Sequence, residues 1–206
     1  MSKTLVVAID GPAGSGKSSV SRQAAAVCGL KYIDSGALYR AITLAVLERF
    51  GAVDAETCFD ELLRDIVLEQ RFNADGSVTT LLNGRDVSED IRNERITGNI
   101  GRVSDSLAVR TFVTGLLQSW GRSESIIMDG RDIGTVVFPD AGLKIFLDAS
   151  VETRALRRFR EYEEKGKKVD LNDIKEQIMQ RDEQDRSRPV GALRQADDAV
   201  YLDSSD

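Results

Sequence analysis

Residues 5–19 read LVVAIDGPAGSGKSS, and this stretch decides the fold of the chain. The apolar run over 5–9 is short and rich in β-branched residues, which is typical of a strand buried on both faces. Residues 17–27 have a helical pattern. Between them, residues 11–18 match G-x-x-x-x-G-K-[S/T] at every fixed position. We therefore predict a strand, a phosphate-binding loop and a helix, in that order.

The composition of the loop suits phosphate binding. Its backbone N–H groups can surround phosphate oxygens, and the helix that follows points its N-terminus at them. Lys17 would bridge the β- and γ-phosphates of a nucleotide, and the Ser18 hydroxyl group would bind Mg²⁺. The residues expected to contact the nucleotide are Gly11, Pro12, Ala13, Gly14, Ser15, Gly16, Lys17, Ser18 and Ser19.

Other interpretations of the loop stay open at this point. It could be a glycine-rich turn that binds nothing. A dinucleotide-binding fingerprint fits less well, because Ser19 stands where that pattern needs glycine or alanine. The loop also does not identify the acceptor of the phosphoryl group, which could be water, a nucleotide, a small alcohol or nothing at all.

Strand and helix patterns alternate through most of the chain. After the first strand and helix we predict further strands and helices, which indicates an α/β fold with a parallel sheet flanked by helices. The predicted strands are 31–33, 125–128, 143–147 and 199–202, and the predicted helices are 37–50, 151–168 and 171–186, with a break at Gly166.

The middle of the chain has a different pattern. A helical stretch over 55–64 is followed by extended stretches over 67–72 and 77–82, and Asp75-Gly76 and Asn83-Gly84 are turn signals of antiparallel hairpins. A small antiparallel sheet has no place in a parallel core. We therefore interpret residues from about 60 to 105 as a lobe inserted into the α/β domain.

Composition excludes several classes of protein. The 28 basic and 34 acidic residues give a net charge of -6, which opposes non-specific binding to nucleic acid or to an anionic membrane. The chain has no histidine, so a Ser-His-Asp triad is impossible, and two cysteines are too few for a disulfide framework. No apolar run approaches the ~20 residues of a membrane-spanning helix. We expect a cytoplasmic protein with no nucleic-acid or membrane partner.

Polar residues follow two of the predicted strands, where ligands bind in open α/β folds. Residues 34–40 follow the second strand and read DSGALYR, and residues 128–134 follow the third and read MDGRDIG. Asp129 could hold Mg²⁺ through water. The first stretch could also serve only as a helix cap, and the second could be a surface turn.

Three stretches together resemble bacterial cytidylate kinases: GPAGSGKS at 11–18, DSGALYR at 34–40 and DGRDIGTVVFPD at 129–140. The likeness extends over nearly the whole chain and includes the inserted lobe and the stretch RDEQDRSR at 181–188. It implies a P-loop enzyme of pyrimidine nucleotide metabolism that transfers the γ-phosphoryl group of ATP, with Mg²⁺, to CMP or dCMP. The products would be ADP and CDP or dCDP.

The resemblance also implies an organisation and a set of roles. One kinase domain would cover 1–206, with a core at about 1–59 and 106–206, the inserted CMP-binding lobe, and a lid at about 151–170; we expect a monomer. Arg110 and Asp132 would read the cytosine. The residues expected around the rest of the substrate are Ser35, Tyr39, Arg40, Asp129, Arg131, Arg181, Asp185 and Arg188.

The lid is expected to bring arginines to the phosphates of ATP. Arg154, Arg157 and Arg158 have i, i+3 and i+4 spacing, which places them on one helical face. They could equally form a solvated face paired with neighbouring glutamates. The residues expected to act in catalysis are Lys17, Arg131, Arg157 and Arg158, and those expected at the metal are Ser18 and Asp129.

Two departures from the family pattern give further expectations. Gly101 stands where the family often has a serine near the base, so Asn99 or Ser104 could supply that contact. The family usually continues into a C-terminal helix after the last strand, so we expect apolar surface on the sheet or on a neighbouring helix that is exposed or covered by another chain.

Two rival functions fit the sequence less well. A GTPase-like switch needs an Asn-Lys-x-Asp segment, and no asparagine of the chain is followed by lysine. A small-molecule kinase of the shikimate type would not explain the inserted lobe or the stretch at 129–140.

Overall fold

The computed structural model describes residues 4–54, 57–73 and 76–206. These form seven α-helices, eight β-strands and two short turns of other helix types among the residues described. In chain order the elements are β1 Val6–Asp10, α1 Lys17–Cys28, β2 Lys31–Asp34, α2 Ser35–Phe50, α3 Phe59–Arg64, β3 Leu68–Phe72, β4 Val78–Leu82, β5 Arg85–Asp86, a 3₁₀ turn Asp90–Arg92, α4 Glu94–Asp105, α5 Leu107–Ser123, β6 Ile126–Gly130, a π-helical turn Ile133–Val137, β7 Leu143–Asp148, α6 Val151–Glu164, α7 Leu171–Ser187 and β8 Val200–Asp203.

The main sheet has five parallel strands in the order β2-β6-β1-β7-β8, flanked by helices. Strand β1 pairs with β7 so that Val7 lies opposite Leu143 and Asp10 opposite Phe146. Every residue of β1 and β6 is buried, as continuous apolar runs predict. The predicted parallel sheet and its five strands are confirmed, each to within two residues at either end.

A second sheet is antiparallel and has three strands in the order β3-β4-β5. Strands β3 and β4 form the predicted hairpin, with Leu68 opposite Leu82 and Phe72 opposite Val78. Of the predicted turn between them, residues 74 and 75 lie outside the described residues. Asn83 has φ 51 and Gly84 has φ 78, so the second predicted turn is also present.

The described chain divides into two compact units. The first unit comprises Arg22–Met128 and the residues up to Leu5, and the second comprises Val6–Ser21 and Asp129–Asp206. In the first unit, α2 packs against α4, α5 and β4, and its residues Leu38, Ala41 and Ile42 are fully buried. In the second unit, α6 packs against α7 around Ala155, Ile174 and Ile178.

Several boundaries differ from those predicted. Helix α3 begins at Phe59, and residues 55 and 56 of the predicted helix lie outside the described residues. Helix α6 ends at Glu164 instead of 168, because Gly166 takes φ 68 there. The π-helical turn at Ile133–Val137 was not predicted.

Strand β8 carries exposed apolar side chains. Val200, Tyr201 and Leu202 are 51%, 50% and 43% exposed. The ring of Tyr201 stacks on that of Phe146 from β7, with 6.2 Å between the ring centroids. Searching the described part of the chain gives no helix that is both long and apolar enough to cross a membrane.

Candidate active site

The loop between β1 and α1 is shaped by glycine. Gly11 has φ 150, and a Cβ atom built on it would lie 2.0 Å from the carbonyl oxygen of Leu147 on β7. No side chain fits in that space, so the chain can turn tightly out of the sheet only with glycine here. The turn leaves Ser15 and Lys17 buried at the start of α1.

Lys17 lies across the loop with its ammonium group buried. Its Nζ atom donates to the carbonyl oxygen of Pro12 at 2.6 Å and to Oγ of Ser15 at 3.3 Å. Burial lowers the pKa of Lys17 to about 7, and the nearby charge of Arg131 acts in the same direction. The carboxylates of Asp129, Asp10 and Asp185 oppose this shift. A bound anion beside Nζ would favour the charged form in the same way as these carboxylates.

Ser18 and Asp129 meet although 111 positions separate them. The Ser18 hydroxyl group donates to Oδ2 of Asp129 at 2.9 Å. Hydroxyl and carboxylate oxygens are the ligands that Mg²⁺ prefers, so the pair fits that ion. Among the described residues no group of three or more Asp, Glu, Cys or His could hold a metal.

Asp185 of α7 joins two of the predicted arginines. Nε of Arg131 donates to its Oδ2 at 2.8 Å, and Arg188 donates to its Oδ1 at 2.7 Å. Burial alone would raise the pKa of Asp185, but the charges of Arg131 and Arg188 outweigh burial and hold that pKa below its usual range. Arg181 adds to this effect. The carboxylate thus holds cationic side chains in place at one end of α7.

The three arginines of α6 have different partners. Arg154 is buried, forms a two-pronged ion pair with Asp182 at 3.0 and 2.6 Å, and donates to the carbonyl oxygen of Ala13 at 3.1 Å. Arg157 donates to the carbonyl oxygen of Ser204. Arg158 lies over the ring of Tyr162, 5.6 Å from its centroid. The i, i+3 and i+4 spacing therefore places the three arginines near one another, but each of them contacts different residues.

Ser204 connects α6 to the phosphate loop. Its hydroxyl group donates to the carbonyl oxygen of Ser15 at 2.8 Å, while its own carbonyl oxygen accepts from Arg157. Arg157 and Arg154 thus both lie beside the loop, one through Ser204 and one through Ala13. Neither Ser204 nor Asp182 was predicted from the sequence.

In the first unit, the predicted residues start from the N-terminus of α2. Asp34 caps this helix, with its Oδ1 accepting from the N–H of Ala37 at 2.9 Å. The capping interpretation is therefore confirmed for Asp34, and Ser35 beside it is buried. Gln70 of β3 accepts from the N–H of Asp34 at 3.2 Å and donates to its carbonyl oxygen at 2.8 Å.

Tyr39, Arg40 and Arg110 lie further along this unit. Arg110 is buried, lies 5.8 Å from the centroid of the Tyr39 ring and donates to the carbonyl oxygen of Ser104 at 3.2 Å. Arg40 donates to the carbonyl oxygen of Ile91 and to Oγ1 of Thr97. No sequence pattern indicates Thr97 or Gln70, because their contacts depend on packing between separate elements.

The two side chains considered as substitutes near Gly101 bond within α4. Asn99 donates to the carbonyl oxygen of Arg95 at 2.9 Å, and Ser104 donates to that of Gly101 at 2.9 Å. Ser104 would have to break its bond to the helix backbone before its hydroxyl group could donate to a base, whereas the amide group of Asn99 has a second N–H.

Buried acidic side chains lie near the end of β1 and after β6. Asp132 follows β6, and its backbone carbonyl accepts from Val136 and Val137 in the π-helical turn. Burial raises the pKa of Asp10 to about 6, although its hydrogen bonds from Gly134 and Ile133 act in the opposite direction. Asp10 was not among the predicted site residues.

Known proteins related to the chain share its whole length. The family model described as cytidylate kinase matches residues 7–206. A cytidylate kinase of Bacillus pumilus (strain SAFR-032) is 44% identical, over 100% of this chain and 91% of that protein. A bifunctional pantoate ligase/cytidylate kinase of Synechococcus sp. (strain CC9311) is 42% identical, over 98% of this chain and 41% of that protein.

A solved structure supports the fold alone. The crystal structure of an uncharacterized protein from Eubacterium ventriosum ATCC 27560 matches 98% of this chain and 91% of its own, with a TM-score of 0.52 and 11% identity.

Proposed function

The chain belongs to the cytidylate kinase family, and we propose that it phosphorylates CMP and dCMP with ATP and Mg²⁺. An oxygen of the acceptor's phosphate forms a bond to the γ-phosphorus of ATP, and the bond from that phosphorus to the β-phosphate oxygen breaks. ADP and CDP or dCDP leave. The acceptor oxygen is already anionic, so no general base is needed.

One observation carries this proposal: the second unit gathers a buried lysine, a hydroxyl–carboxylate pair and an arginine network after β1 and β6. Lys17, the Ser18–Asp129 pair and Arg131 with Asp185 all belong to this group. Phosphoryl transfer asks the protein mainly to align donor and acceptor and to neutralise their charge. These side chains have the charges for that task.

We assign roles to these residues and to the arginines of the lid. The loop backbone over 11–16 and Lys17 bind the phosphates of ATP, and the charge of Lys17 stabilises the transferring group. Ser18 and Asp129 would hold Mg²⁺, which would neutralise phosphate charge. Arg131 acts on the transferring group, and Arg154, Arg157 and Arg158 serve ATP from the lid. In this arrangement Arg154 also supports the loop itself through its bond to Ala13.

The acceptor is held by the remaining predicted residues. We assign Arg110 and Asp132 to the cytosine. The residues that we assign to the phosphate and ribose are Ser35, Tyr39, Arg40, Asp129, Arg131, Arg181, Asp185 and Arg188. The ion pairs of Asp185 support this assignment, since they hold Arg131 and Arg188 in fixed positions before any nucleotide binds.

We further propose that the chain works as a cytoplasmic monomer with no nucleic-acid partner. The net charge of -6 supports the last point. The lobe at about 60–105 and the lid at about 151–170 are the parts expected to move when nucleotides bind.

An assay of ADP release tests the function. The purified chain is given ATP, Mg²⁺ and one of CMP, dCMP, UMP or AMP, and release should be fastest with CMP and dCMP. Lys17→Ala should lower kcat by about a hundredfold or more, because the lost charge acts on the transferring group, and should leave CMP affinity nearly unchanged. The exposed Lys31, paired with Glu124, offers a control in Lys31→Ala. ADP release that is no faster with CMP than with water alone would refute the proposed function.

A further inference from the structure

The buried carboxylate of Asp10, which was not predicted as a site residue, fixes a segment of the chain that carries several predicted site residues. Asp10 is the last residue of β1 and is 5% exposed. Its Oδ1 accepts from the N–H of Ile133 at 2.8 Å, and its Oδ2 accepts from the N–H of Gly134 at 2.7 Å. Both bonds are short and buried, and they bridge more than 120 positions of the chain.

These two N–H groups need an acceptor from outside their own segment. Ile133 and Gly134 begin the π-helical turn, and the first N–H groups of any helical turn have no partner within it. Both residues are buried, so water does not replace the missing acceptor. Asp10 satisfies both groups with one side chain.

Only glycine fits at position 134 without movement of the neighbouring side chains. A Cβ atom on Gly134 would lie 3.1 Å from Cδ of Lys144 and 3.3 Å from Oδ2 of Asp10. The carboxylate of Asp10 and the alkyl chain of Lys144 thus both lie close to the backbone of Gly134. We call Asp10, Ile133, Gly134 and Lys144 the carboxylate clamp.

The clamp fixes one end of the segment 129–134, and hydrogen bonds of Asp129 and Arg131 fix its other end. Asp129 accepts from Ser18, and Arg131 donates to Asp185. Asp132 stands directly before the clamped residues, and its backbone carbonyl accepts from Val136 and Val137 in the same turn. The positions of Arg131 and Asp132 therefore depend on a carboxylate that lies in β1, next to the phosphate loop.

We propose that Asp10 is a positioning residue, which holds Arg131 and Asp132 in register with the phosphate loop and so supports both turnover and the choice of cytosine over uracil. This inference rests on the proposed function. Asp10 touches no nucleotide in this scheme. It holds the segment through the two N–H groups that it accepts from, and its charge also favours the charged form of Lys17.

Asp10→Asn tests the inference with little change of shape. The amide has one oxygen, so its NH₂ group must face one of the two N–H groups, and one bond is lost. Because misplacement of catalytic groups by about 1 Å can cost about a hundredfold in rate, we expect kcat for CMP to fall about ten- to a hundredfold. The CMP-to-UMP ratio of kcat/KM should fall about threefold or more, and ATP affinity should change less than about threefold.

A direct measurement and two further variants complete the test. Amide hydrogen exchange at Ile133 and Gly134 should accelerate about tenfold or more in Asp10→Asn, whatever its activity. Gly134→Ala adds a methyl group that crowds Asp10 and Lys144, and it should change the CMP-to-UMP ratio of kcat/KM in the same direction. Ile9→Val, on the same strand, should lower stability and leave that ratio unchanged.

The outcomes separate the inference from the function on which it rests. If the parent enzyme does not phosphorylate CMP, the function fails, and the exchange rates still decide whether Asp10 fixes the segment. If the parent is active and Asp10→Asn keeps its CMP-to-UMP ratio and its exchange rates, the positioning role is wrong. A variant that loses ATP affinity with an unchanged ratio would place the role of Asp10 in the phosphate loop and overturn the inference.

Discussion

At the scale of single residues, the Asp10 carboxyl group titrates within a range of pH that stability measurements reach. Its pKa of about 6 lies above the ordinary value of 3.8. Between these values the folded protein binds a proton that the unfolded chain has released, so this group's contribution to stability is lost as pH rises towards 6. From pH 5 to pH 7 the loss should be about 1 kcal/mol.

Denaturation of the parent and of Asp10→Asn at several pH values measures this loss. The unfolding free energy of the parent, relative to that of Asp10→Asn, should fall by about 1 kcal/mol between pH 5 and pH 7 and stay constant above pH 7. Taking the difference removes the titrating groups that Asp10 does not affect. Lys17 is affected, because the Asp10 carboxylate raises its pKa, and this moves the difference in the same direction. A difference that does not vary with pH would mean that Asp10 keeps an ordinary pKa.

Asp132 gives a second prediction at this scale. Its buried carboxylate can accept a hydrogen bond from the amino group of cytosine but only faces a carbonyl oxygen in uracil. An unpaired buried acceptor costs about 1–3 kcal/mol, so UMP should be the poorer substrate by about tenfold or more. Asp132→Ala should lower kcat/KM for CMP sharply and for UMP much less. An Asp132→Ala enzyme with the parent's CMP-to-UMP ratio would transfer the choice of base to Arg110.

The sequence predicts some residues of this site and not others for a physical reason. Lys17 and Ser18 could be named because the loop motif is contiguous, and Asp34 because a helix cap is local. The contact of Asp10 with Ile133 joins residues 123 positions apart, and no local pattern records it. The same holds for Arg154 and Asp182. The spacing along α6 predicted Arg154 as a site residue but did not indicate its partner.

At the scale of elements, a buried ion pair and an exposed ion pair join α6 to α7. Arg154 and Asp182 are almost fully buried, whereas Lys175 and Glu152 lie 3.9 Å apart with Glu152 71% exposed. Removal of one partner from a buried pair leaves an uncompensated charge. The exposed pair gains little because water screens it.

Chemical denaturation of two matched variants tests this difference. Asp182→Ala should lower the free energy of unfolding by about 3–5 kcal/mol, and Glu152→Gln by less than about 1 kcal/mol. The double variant Arg154→Met, Asp182→Leu should lose less than Asp182→Ala does, since it leaves no buried charge unpaired. Equal losses for Asp182→Ala and Glu152→Gln would mean that burial does not decide the strength of these pairs.

Elements could be predicted where apolar residues recur at a regular helical spacing or form a continuous run. The strands of the main sheet are buried on both faces, which leaves runs such as residues 5–9 in the sequence. The π-helical turn at Ile133–Val137 leaves no such period, because its shape depends on the acceptor that Asp10 provides. Helices α4 and α5 lie in the region where the pattern changes, and neither was predicted as a helix.

At the scale of the whole molecule, the exposed strand β8 bears on oligomeric state. Its Val200, Tyr201 and Leu202 offer apolar surface, whereas the net charge of -6 opposes association between copies. We expect charge to prevail and light scattering at micromolar concentration to give a mass near the 22.6 kDa of one chain. A mass that doubles as concentration rises, and returns to one chain in Tyr201→Lys, would identify β8 as a contact between copies.

Gly11 sets a limit on how this loop can be altered by directed evolution. The atom that excludes a side chain there is the carbonyl oxygen of Leu147, which belongs to β7 and not to any ligand. Selection for a new phosphoryl donor therefore cannot relieve the constraint, and a randomised library should return glycine at position 11 whatever donor is supplied. Variation is better introduced at Ala13, whose side chain is half-buried and whose backbone carbonyl oxygen, which any residue would keep, accepts from Arg154.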